Sequence, residues 1–121
     1  MLEPRNHWAE TSDEVFAENA LDDYITADII IVGGGFTGCS AALESAKLGA
    51  KVVLTEAHGI GHGGSGRNVG LVNAGLWLPP DDIVSRIGKS DGERLITSLS
   101  KAPQDVFNSI NNYQIQCNAV Q

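Results

Sequence analysis

The chain has 121 residues, of which 42% are hydrophobic and 19% charged, and its formal net charge is −7. This length accommodates one domain at most, and the acidic balance argues against nucleic acid or an anionic membrane surface as a partner. No apolar run approaches the ~20 residues of a transmembrane helix, and the polar N-terminus does not look like a signal peptide, so we expect no membrane partner.

Residues 1–24 are polar and acidic and show no sustained hydrophobic period. They nevertheless contain Trp8, Phe16 and Tyr24. We interpret this stretch as an N-terminal extension that packs on the domain through its aromatic side chains, as aromatic residues in a polar tail commonly do. A place for His7 and Trp8 in a binding site is the alternative. Residues 25–121 are predicted to form the domain itself.

The next stretch predicts a strand, a glycine turn, a helix and a second strand. Asp28–Val32 is a β-branched run of the kind found in buried parallel strands. The helix is predicted over Cys39–Leu48 and ended by Gly49, and the second strand is predicted over Lys51–Thr55. The helix residues expected to face the sheet are Ala42, Leu43 and Ala46.

A G-x-G-x-x-G pattern lies between this strand and this helix, through Gly33, Gly35 and Gly38. The first glycine permits the tight turn, the second lets a pyrophosphate approach the backbone, and the third allows close packing of helix on sheet. The helix N-terminus adds free N–H groups and the positive end of its dipole. Glu56 ends the second strand, where a carboxylate can bind both hydroxyls of an adenosine ribose and would repel a 2′-phosphate. The pattern predicts a dinucleotide site that disfavours NADP; a turn without a ligand is the alternative.

A second glycine-rich stretch, Gly59–Gly70, begins three residues after Glu56. A loop that leaves a parallel strand at its carboxyl end lies on the ligand side of the sheet. Its glycines leave backbone N–H groups free to face a ligand, and Ser65 and Asn68 add short donors. Arg67 adds a fixed positive charge suited to a carboxylate or phosphate. We expect this loop to belong to the same site, and a flexible surface loop is the alternative.

The rest of the chain predicts mainly helices. Leu71–Leu78 is apolar and could be a short strand or an extended segment lining the cofactor, and two prolines stop it. A helix over Ile83–Ile87, opened by two aspartates, is closed by Gly88. Ser90–Glu93 fits a capping box for another helix, which Pro103 would kink or restart. Tyr113–Cys117 suggests the start of a strand. The apolar face of the last helix would comprise Leu95, Ile96, Leu99, Val106, Phe107 and Ile110.

The two cysteines, Cys39 and Cys117, lie far apart and fit neither a disulfide framework nor a metal site. Cys39 is best interpreted as a small residue packed in the helix. A reducing cytoplasm is therefore the simplest location for the protein.

Three segments carry a family resemblance: Asp28–Gly38, Leu54–Ala57 and Gly61–Asn68. Together they resemble the N-terminal part of the flavin-dependent amine and amino-acid oxidases of the D-amino-acid-oxidase superfamily. The Ser-Gly-Arg-Asn sequence after a strand-ending glutamate is the discriminating part. The similarity is greatest to the gamma-glutamylputrescine oxidase branch and runs from about Tyr24 to the end of the chain.

The resemblance implies an α/β fold, namely the N-terminal portion of a Rossmann-like FAD/NAD(P)-binding βαβ domain, with FAD as cofactor. The turn glycines would face the pyrophosphate, Glu56 would hold the ribose, and residues 65–68 would lie along the pyrophosphate towards the isoalloxazine. In such enzymes a hydride passes from the carbon beside a neutral amine to the flavin, the imine hydrolyses, and oxygen reoxidises the flavin. The cofactor-binding residues implied are Gly33, Gly35, Phe36, Thr37, Gly38, Glu56, Ser65, Gly66, Arg67 and Asn68.

Members of this family are several times longer than the chain, so the resemblance implies an incomplete domain without its substrate domain. The substrate of the full-length family would be a small amine or amino acid, and no catalytic residue can be named. Such a segment could be inactive alone, or could associate with the missing remainder or another subunit. An NAD-dependent dehydrogenase is the other cofactor class; its domain would usually continue after Glu56 to a helix and a third strand. His62 departs from the family pattern and is expected to touch phosphate or solvent, with a covalent flavin link as the alternative.

Overall fold

The computed structural model describes residues 7–12 and 19–121. The chain divides into two compact units, Met1–Val69 and Gly70–Gln121. The first unit contains helix α1 (His7–Thr11), strand β1 (Ile29–Val32), helix α2 (Phe36–Lys47), strand β2 (Val52–Thr55) and a 3-10 turn (Gly64–Arg67). The second contains helices α3 (Pro80–Ile87) and α4 (Lys89–Tyr113).

The first unit is built on a strand–helix–strand crossover, as the sequence predicts. β1 and β2 pair in parallel, with Ile29 opposite Val52 and Val32 opposite Thr55, and α2 contacts both strands. Parallel strands require such a crossover because the end of the first strand and the start of the second lie at opposite edges of the sheet. The pairing continues into the turn, where the Gly33 N–H donates to the Thr55 carbonyl at 2.7 Å. This bond joins the start of the glycine turn to the end of β2.

Helix α2 begins at Phe36, three residues earlier than predicted, with Gly35 as its N-cap. Gly35 has no side chain to accept a hydrogen bond from the first turn, so the sequence offered no cap signal at this position. The helix ends at Lys47, one residue before the predicted end, and Gly49 then adopts a φ of +89°, which glycine tolerates best, as predicted for the residue that ends the helix.

The expected burial of this unit is wrong in part. Ile30 and Val32 of β1 are 65% and 85% exposed, and Leu43 of α2 is 40% exposed. Of the α2 residues expected to face the sheet, only Ala42 is half-buried. The sheet has two strands among the described residues, so much of the apolar surface of β1 has no neighbouring element to cover it.

The second unit is organised by the packing of α3 on α4. Ile83 of α3 is 5% exposed and is the buried hydrophobic side chain of the part of the chain that the structure describes. Ile96 and Leu99 of α4 are half-buried, as their spacing predicts. A cavity of about 300 Å³ lies beside these residues. It is lined by Ala74, Gly75, Leu76, Leu78, Pro80, Ile83, Ile96, Leu99 and Ser100.

Several predicted boundaries in this unit are wrong. α4 begins at Lys89 with Gly88, at φ +87°, as its N-cap, so Ser90 lies inside the helix and the predicted capping box does not form. The helix continues through Pro103 without restarting. It also includes Tyr113 and ends where Gln114 turns into the left-handed region at φ +54°. Residues 114–117 are not a strand, because they pair with no strand among the described residues. Leu71–Leu78 is not a strand either, which leaves the predicted alternative of a segment without regular secondary structure.

Candidate cofactor-binding site

The glycine turn places the start of α2 very close to the end of β1. Gly33 has a φ of +106°, a backbone conformation that is strained for any residue with an L side chain. A Cβ on Gly38 would overlap the Gly33 carbonyl oxygen and lie 3.4 Å from Ile31 Cγ2. The third glycine is therefore required by a backbone-to-backbone approach, as the motif predicts.

Glu56 connects the end of β2 to this turn. Its Oε2 accepts the Gly34 N–H at 2.7 Å, and its Oε1 accepts the His58 N–H at 3.1 Å. These backbone donors, the Gly34 N–H first, hold the pKa of the Glu56 carboxyl below its ordinary value of 4.5. The sequence assigned this carboxylate to a ribose, and the structure adds a bracing role for the turn. An ionised carboxylate offers about four acceptor positions, which leaves capacity for ribose hydroxyls.

Ser65 reaches the N-terminus of α2 from the second glycine-rich stretch. Its Oγ accepts the Phe36 N–H at 3.0 Å, so the hydroxyl acts here as an acceptor, whereas the sequence predicted a donor. The bond satisfies one of the N–H groups of the first turn of α2, which is the role that a capping side chain has in an ordinary helix. A Cβ on Gly35 would lie 2.8 Å from Ser65 Oγ, so the second glycine gives the serine room to approach.

The first turn of α2 still offers an anion site. Helix geometry leaves the first N–H groups of a helix without intrahelical acceptors. Among the described residues, the N–H groups of Thr37 and Gly38 have no other hydrogen-bond acceptor. The positive end of the helix dipole lies at the same place. Free amides beside a backbone without side chains fit a pyrophosphate, which is the group that FAD would present there.

The second glycine-rich stretch is held against the turn rather than loose. The Gly61 N–H donates to the Gly34 carbonyl at 2.8 Å, and a Cβ on Gly34 would meet Ile60 Cδ1 at 2.5 Å. His62 stacks on His58 with ring centroids 4.6 Å apart. The exposed Arg67 places Nη2 3.3 Å from His62 Nε2.

Asn68 connects this stretch to the N-terminal helix. Its side-chain amide donates to the Ser65 carbonyl, and its own carbonyl accepts the indole N–H of Trp8 at 2.8 Å. Trp8 thus contacts the loop, as an aromatic anchor would, whereas Tyr24 is fully exposed. Phe16 lies outside the described residues. Sequence reasoning missed the contact of Trp8 with the loop because the two positions are 60 residues apart.

The described residues contain no group of three or more His, Cys, Asp or Glu side chains placed to bind a metal ion. Cys39 and Cys117 are free thiols. No helix in the described part of the chain is both long and apolar enough to cross a membrane.

All ten of the predicted cofactor residues lie in the first unit. Glu56 and Ser65 hydrogen-bond to the turn between β1 and α2, through the N–H groups of Gly34 and Phe36. A parallel strand pair, a glycine turn and an acidic residue at the end of the second strand define a dinucleotide-binding protein. Residues 28–117 match the model of the family described as FAD dependent oxidoreductase (DAO). The chain belongs to this family of FAD-dependent oxidoreductases, and FAD is the family's cofactor.

Similarity to individual proteins agrees with this assignment. Gamma-glutamylputrescine oxidoreductase of Escherichia coli K12 is 35% identical over 114 residues, which are 93% of this chain and 26% of that protein. The protein named "Probable oxidoreductase OrdL" of Haemophilus influenzae is 30% identical over 93% of this chain and 26% of its own length. An anaerobic glycerol-3-phosphate dehydrogenase subunit of Escherichia coli K12 is 45% identical over 63 residues, which are 52% of this chain and 12% of that protein.

The chain thus spans about a quarter of the length of the first two relatives, 26% in each case. No solved structure matched the chain.

Proposed function

We propose that this chain is the FAD-binding segment of an oxidoreductase that oxidises an amine or amino acid to an imine, with electrons passing to FAD and then to oxygen. The observation that carries the proposal is the meeting of three features in one unit: the glycine turn, the free amides of α2 and the carboxylate of Glu56. The choice of an amine substrate is supported by the similarity to gamma-glutamylputrescine oxidoreductase over 93% of the chain.

In this proposal the backbone amides of Thr37 and Gly38 hold the pyrophosphate, and Glu56 accepts hydrogen bonds from the ribose. Residues 65–68 lie along the pyrophosphate, with Arg67 contributing positive charge towards the flavin ring. FAD, when bound, supplies the acceptor for the hydride. The residues of this chain bind and orient the cofactor, and none is assigned to the substrate.

Two alternatives have less support. An NAD-dependent domain would continue after Glu56 to a helix and a third strand, whereas this chain forms a 3-10 turn over Gly64–Arg67. A glycerol-3-phosphate-type substrate is suggested by a relative at 45% identity, but that similarity covers 52% of the chain.

We further propose that the segment works with additional polypeptide, supplied by the same protein or by another subunit. Two observations support this: the relatives are about four times longer, and Ile30 and Val32 of β1 present uncovered apolar surface. Uncovered apolar surface on a small sheet is usually covered by further elements of the domain.

The test is retention of flavin by the purified 121-residue chain. The chain is incubated with excess FAD, desalted, and examined by visible absorbance, with NAD tested in parallel. A flavin band is expected for the wild type. Gly35→Ala is expected to lose most of it, because the added methyl group lies 2.8 Å from Ser65 Oγ and fills the approach for the pyrophosphate.

Gly63→Ala is the matched control, since it adds the same methyl group in the same unit where nothing lies within 4 Å. It is expected to retain flavin as the wild type does. A chain that circular dichroism shows to be folded but that retains no flavin would contradict the proposal. Equal retention by Gly35→Ala and the wild type would show that the flavin does not bind at this turn.

A further inference from the structure

Helix α1 lies against the 3-10 turn of the second glycine-rich stretch. The contact includes a hydrogen bond from the indole N–H of Trp8 to the carbonyl oxygen of Asn68, at 2.8 Å. The Trp8 side chain is 41% exposed, and the His7 ring packs edge-on against it at a centroid distance of 5.1 Å. None of the sequence motifs for cofactor binding includes Trp8.

This bond is the outer link of a series that ends at α2. The amide of the Asn68 side chain donates to the Ser65 carbonyl, within the 3-10 turn. The Ser65 hydroxyl in turn accepts the N–H of Phe36, the first residue of α2. Trp8 therefore connects, through two residues of the turn, to the helix terminus where the pyrophosphate is expected.

The loop needs such a connection because of its composition. Gly63, Gly64 and Gly66 surround Ser65, and glycine loses more conformational freedom on ordering than any other residue. A ligand that must order this loop loses affinity for doing so, whereas a loop already held in its bound arrangement does not. A contact from outside the loop can supply that order in advance.

We propose that Trp8 is a positioning residue, which holds the 3-10 turn, and with it Ser65, in the arrangement that FAD binding requires. The proposal rests on the proposed function in one respect, namely that FAD binds at the N-terminus of α2. Trp8 acts through the Asn68 carbonyl.

The first experiment needs no flavin. Trypsin cleaves after Arg67, the residue that precedes the acceptor of the Trp8 bond, and Arg67 is exposed. Trp8→Phe keeps an aromatic ring and removes the N–H donor. Loss of one hydrogen bond to the loop is expected to raise the rate of cleavage after Arg67 about fivefold, measured by mass spectrometry under native conditions.

The controls are a matched variant and an internal reference. Trp77→Phe makes the same exchange at the chain's other tryptophan, which is 95% exposed, and is expected to leave the rate after Arg67 unchanged. Cleavage after Lys101, within α4, should be the same in all three chains.

The second experiment adds FAD and reads the indole itself. The nitrogen-15 spectrum of the wild type has two indole N–H signals, and Trp77→Phe assigns the one from Trp8. That signal is expected to shift as FAD is added. The dissociation constant for FAD, from flavin fluorescence, is expected to rise severalfold in Trp8→Phe, while the thermal midpoint of the flavin-free chain falls by about 5 °C at most.

Equal cleavage rates after Arg67 in Trp8→Phe and wild type would overturn the proposal, whether or not FAD binds. Faster cleavage in Trp8→Phe with an unchanged FAD dissociation constant would overturn the positioning role. So would an indole N–H signal of Trp8 that does not shift when FAD is added. If the wild-type chain binds no FAD and cleavage is nevertheless faster in Trp8→Phe, the proposed function is contradicted. The result would still support the role of Trp8 in holding the 3-10 turn.

Discussion

Gly38 illustrates how a single residue is constrained by backbone geometry. A methyl group there would meet the carbonyl oxygen of Gly33, which is a backbone atom and cannot rotate away as a side chain could. Alanine is ordinarily the better helix former by about 1 kcal/mol, so the glycine is kept against local propensity. The same approach brings the first amides of α2 beside the end of β1, where a phosphate can reach them.

Glu56 is constrained by its charge. Because the Gly34 and His58 amides lower its pKa in the folded chain, the ionised form is favoured by folding. A group whose pKa is lower in the folded chain than in the unfolded chain stabilises the fold at pH values above the unfolded-state pKa. That stabilisation is lost as the pH falls through the folded-state pKa. Glu56→Gln is therefore expected to melt at a lower temperature than the wild type at pH 7, and this difference should shrink as the pH falls below 4.5.

Thermal melts between pH 7 and pH 3 provide the measurement. Glu44→Gln is the control, because Glu44 is exposed and makes its ion pair with Lys47 on the surface of α2. It is expected to follow the wild type closely, as surface pairs of this kind contribute little. A Glu56→Gln chain that melts with the wild type at pH 7 would show that the carboxylate does not brace the turn.

At the scale of elements, α3 and α4 meet at a position that excludes a side chain. Gly92 of α4 is buried, and a Cβ there would lie 2.8 Å from the Cα and 2.9 Å from the Cγ2 of Val84 in α3. The two helices pack closely because this position carries no side-chain carbon.

Gly92→Ala is expected to destabilise the second unit. The gain in helix propensity, about 1 kcal/mol, opposes an overpacking cost of about 1–3 kcal/mol, and the cost wins because the Cα of Val84 can move only with the backbone of α3. The free energy of unfolding, from denaturant titration, should fall relative to the wild type. A higher free energy of unfolding in Gly92→Ala would show that α3 and α4 can move apart to accommodate the methyl group without loss of stability.

Ser90→Ala serves as the comparison in the same helix. A serine that caps a helix contributes about 1 kcal/mol, but Gly88 is the N-cap of α4 and no side chain caps it. The free energy of unfolding of Ser90→Ala should therefore equal or slightly exceed that of the wild type, because alanine is also the better helix former. A loss of about 1 kcal/mol would restore the capping box that the sequence predicted.

At the scale of the whole molecule, the described residues bury little apolar surface. Ile83 is the buried hydrophobic side chain among them, and Ile30, Val32 and Trp77 are 65%, 85% and 95% exposed. Hydrophobic burial is the main favourable term in folding, and exposed apolar surface promotes association.

We therefore expect the chain alone to unfold over a broad temperature range and to bind the dye ANS, or to aggregate. Calorimetry, ANS fluorescence and size-exclusion chromatography measure these properties with and without FAD. Added FAD should raise the midpoint, because a ligand that binds only the folded state stabilises it. A sharp, cooperative melt of a monomer without flavin would contradict this expectation.

The sequence by itself determined the features that depend on neighbouring residues. The β-branched run of β1, the glycine spacing and the acidic end of β2 lie within one short stretch, so their order along the chain also determines their order in space. The crossover, its parallel pairing and the position of Glu56 at the end of β2 followed from that stretch. So did the end of α2 at Gly49 and the apolar face formed by Ile96 and Leu99.

Only the tertiary structure decided what depends on residues far apart in the sequence. Ser65 caps a helix 29 residues before it, and Trp8 binds the Asn68 carbonyl 60 residues after it. The sequence of α4 alone does not show that position 92 must lack a side chain. That requirement comes from the close approach of Val84 in α3. Tyr113–Cys117 has the composition of a strand, but Tyr113 belongs to α4 and residues 114–117 pair with no strand among the described residues. Such contacts are set by packing between elements. Local periodicity indicates only the face on which a residue lies, and it does not indicate which element that face will contact.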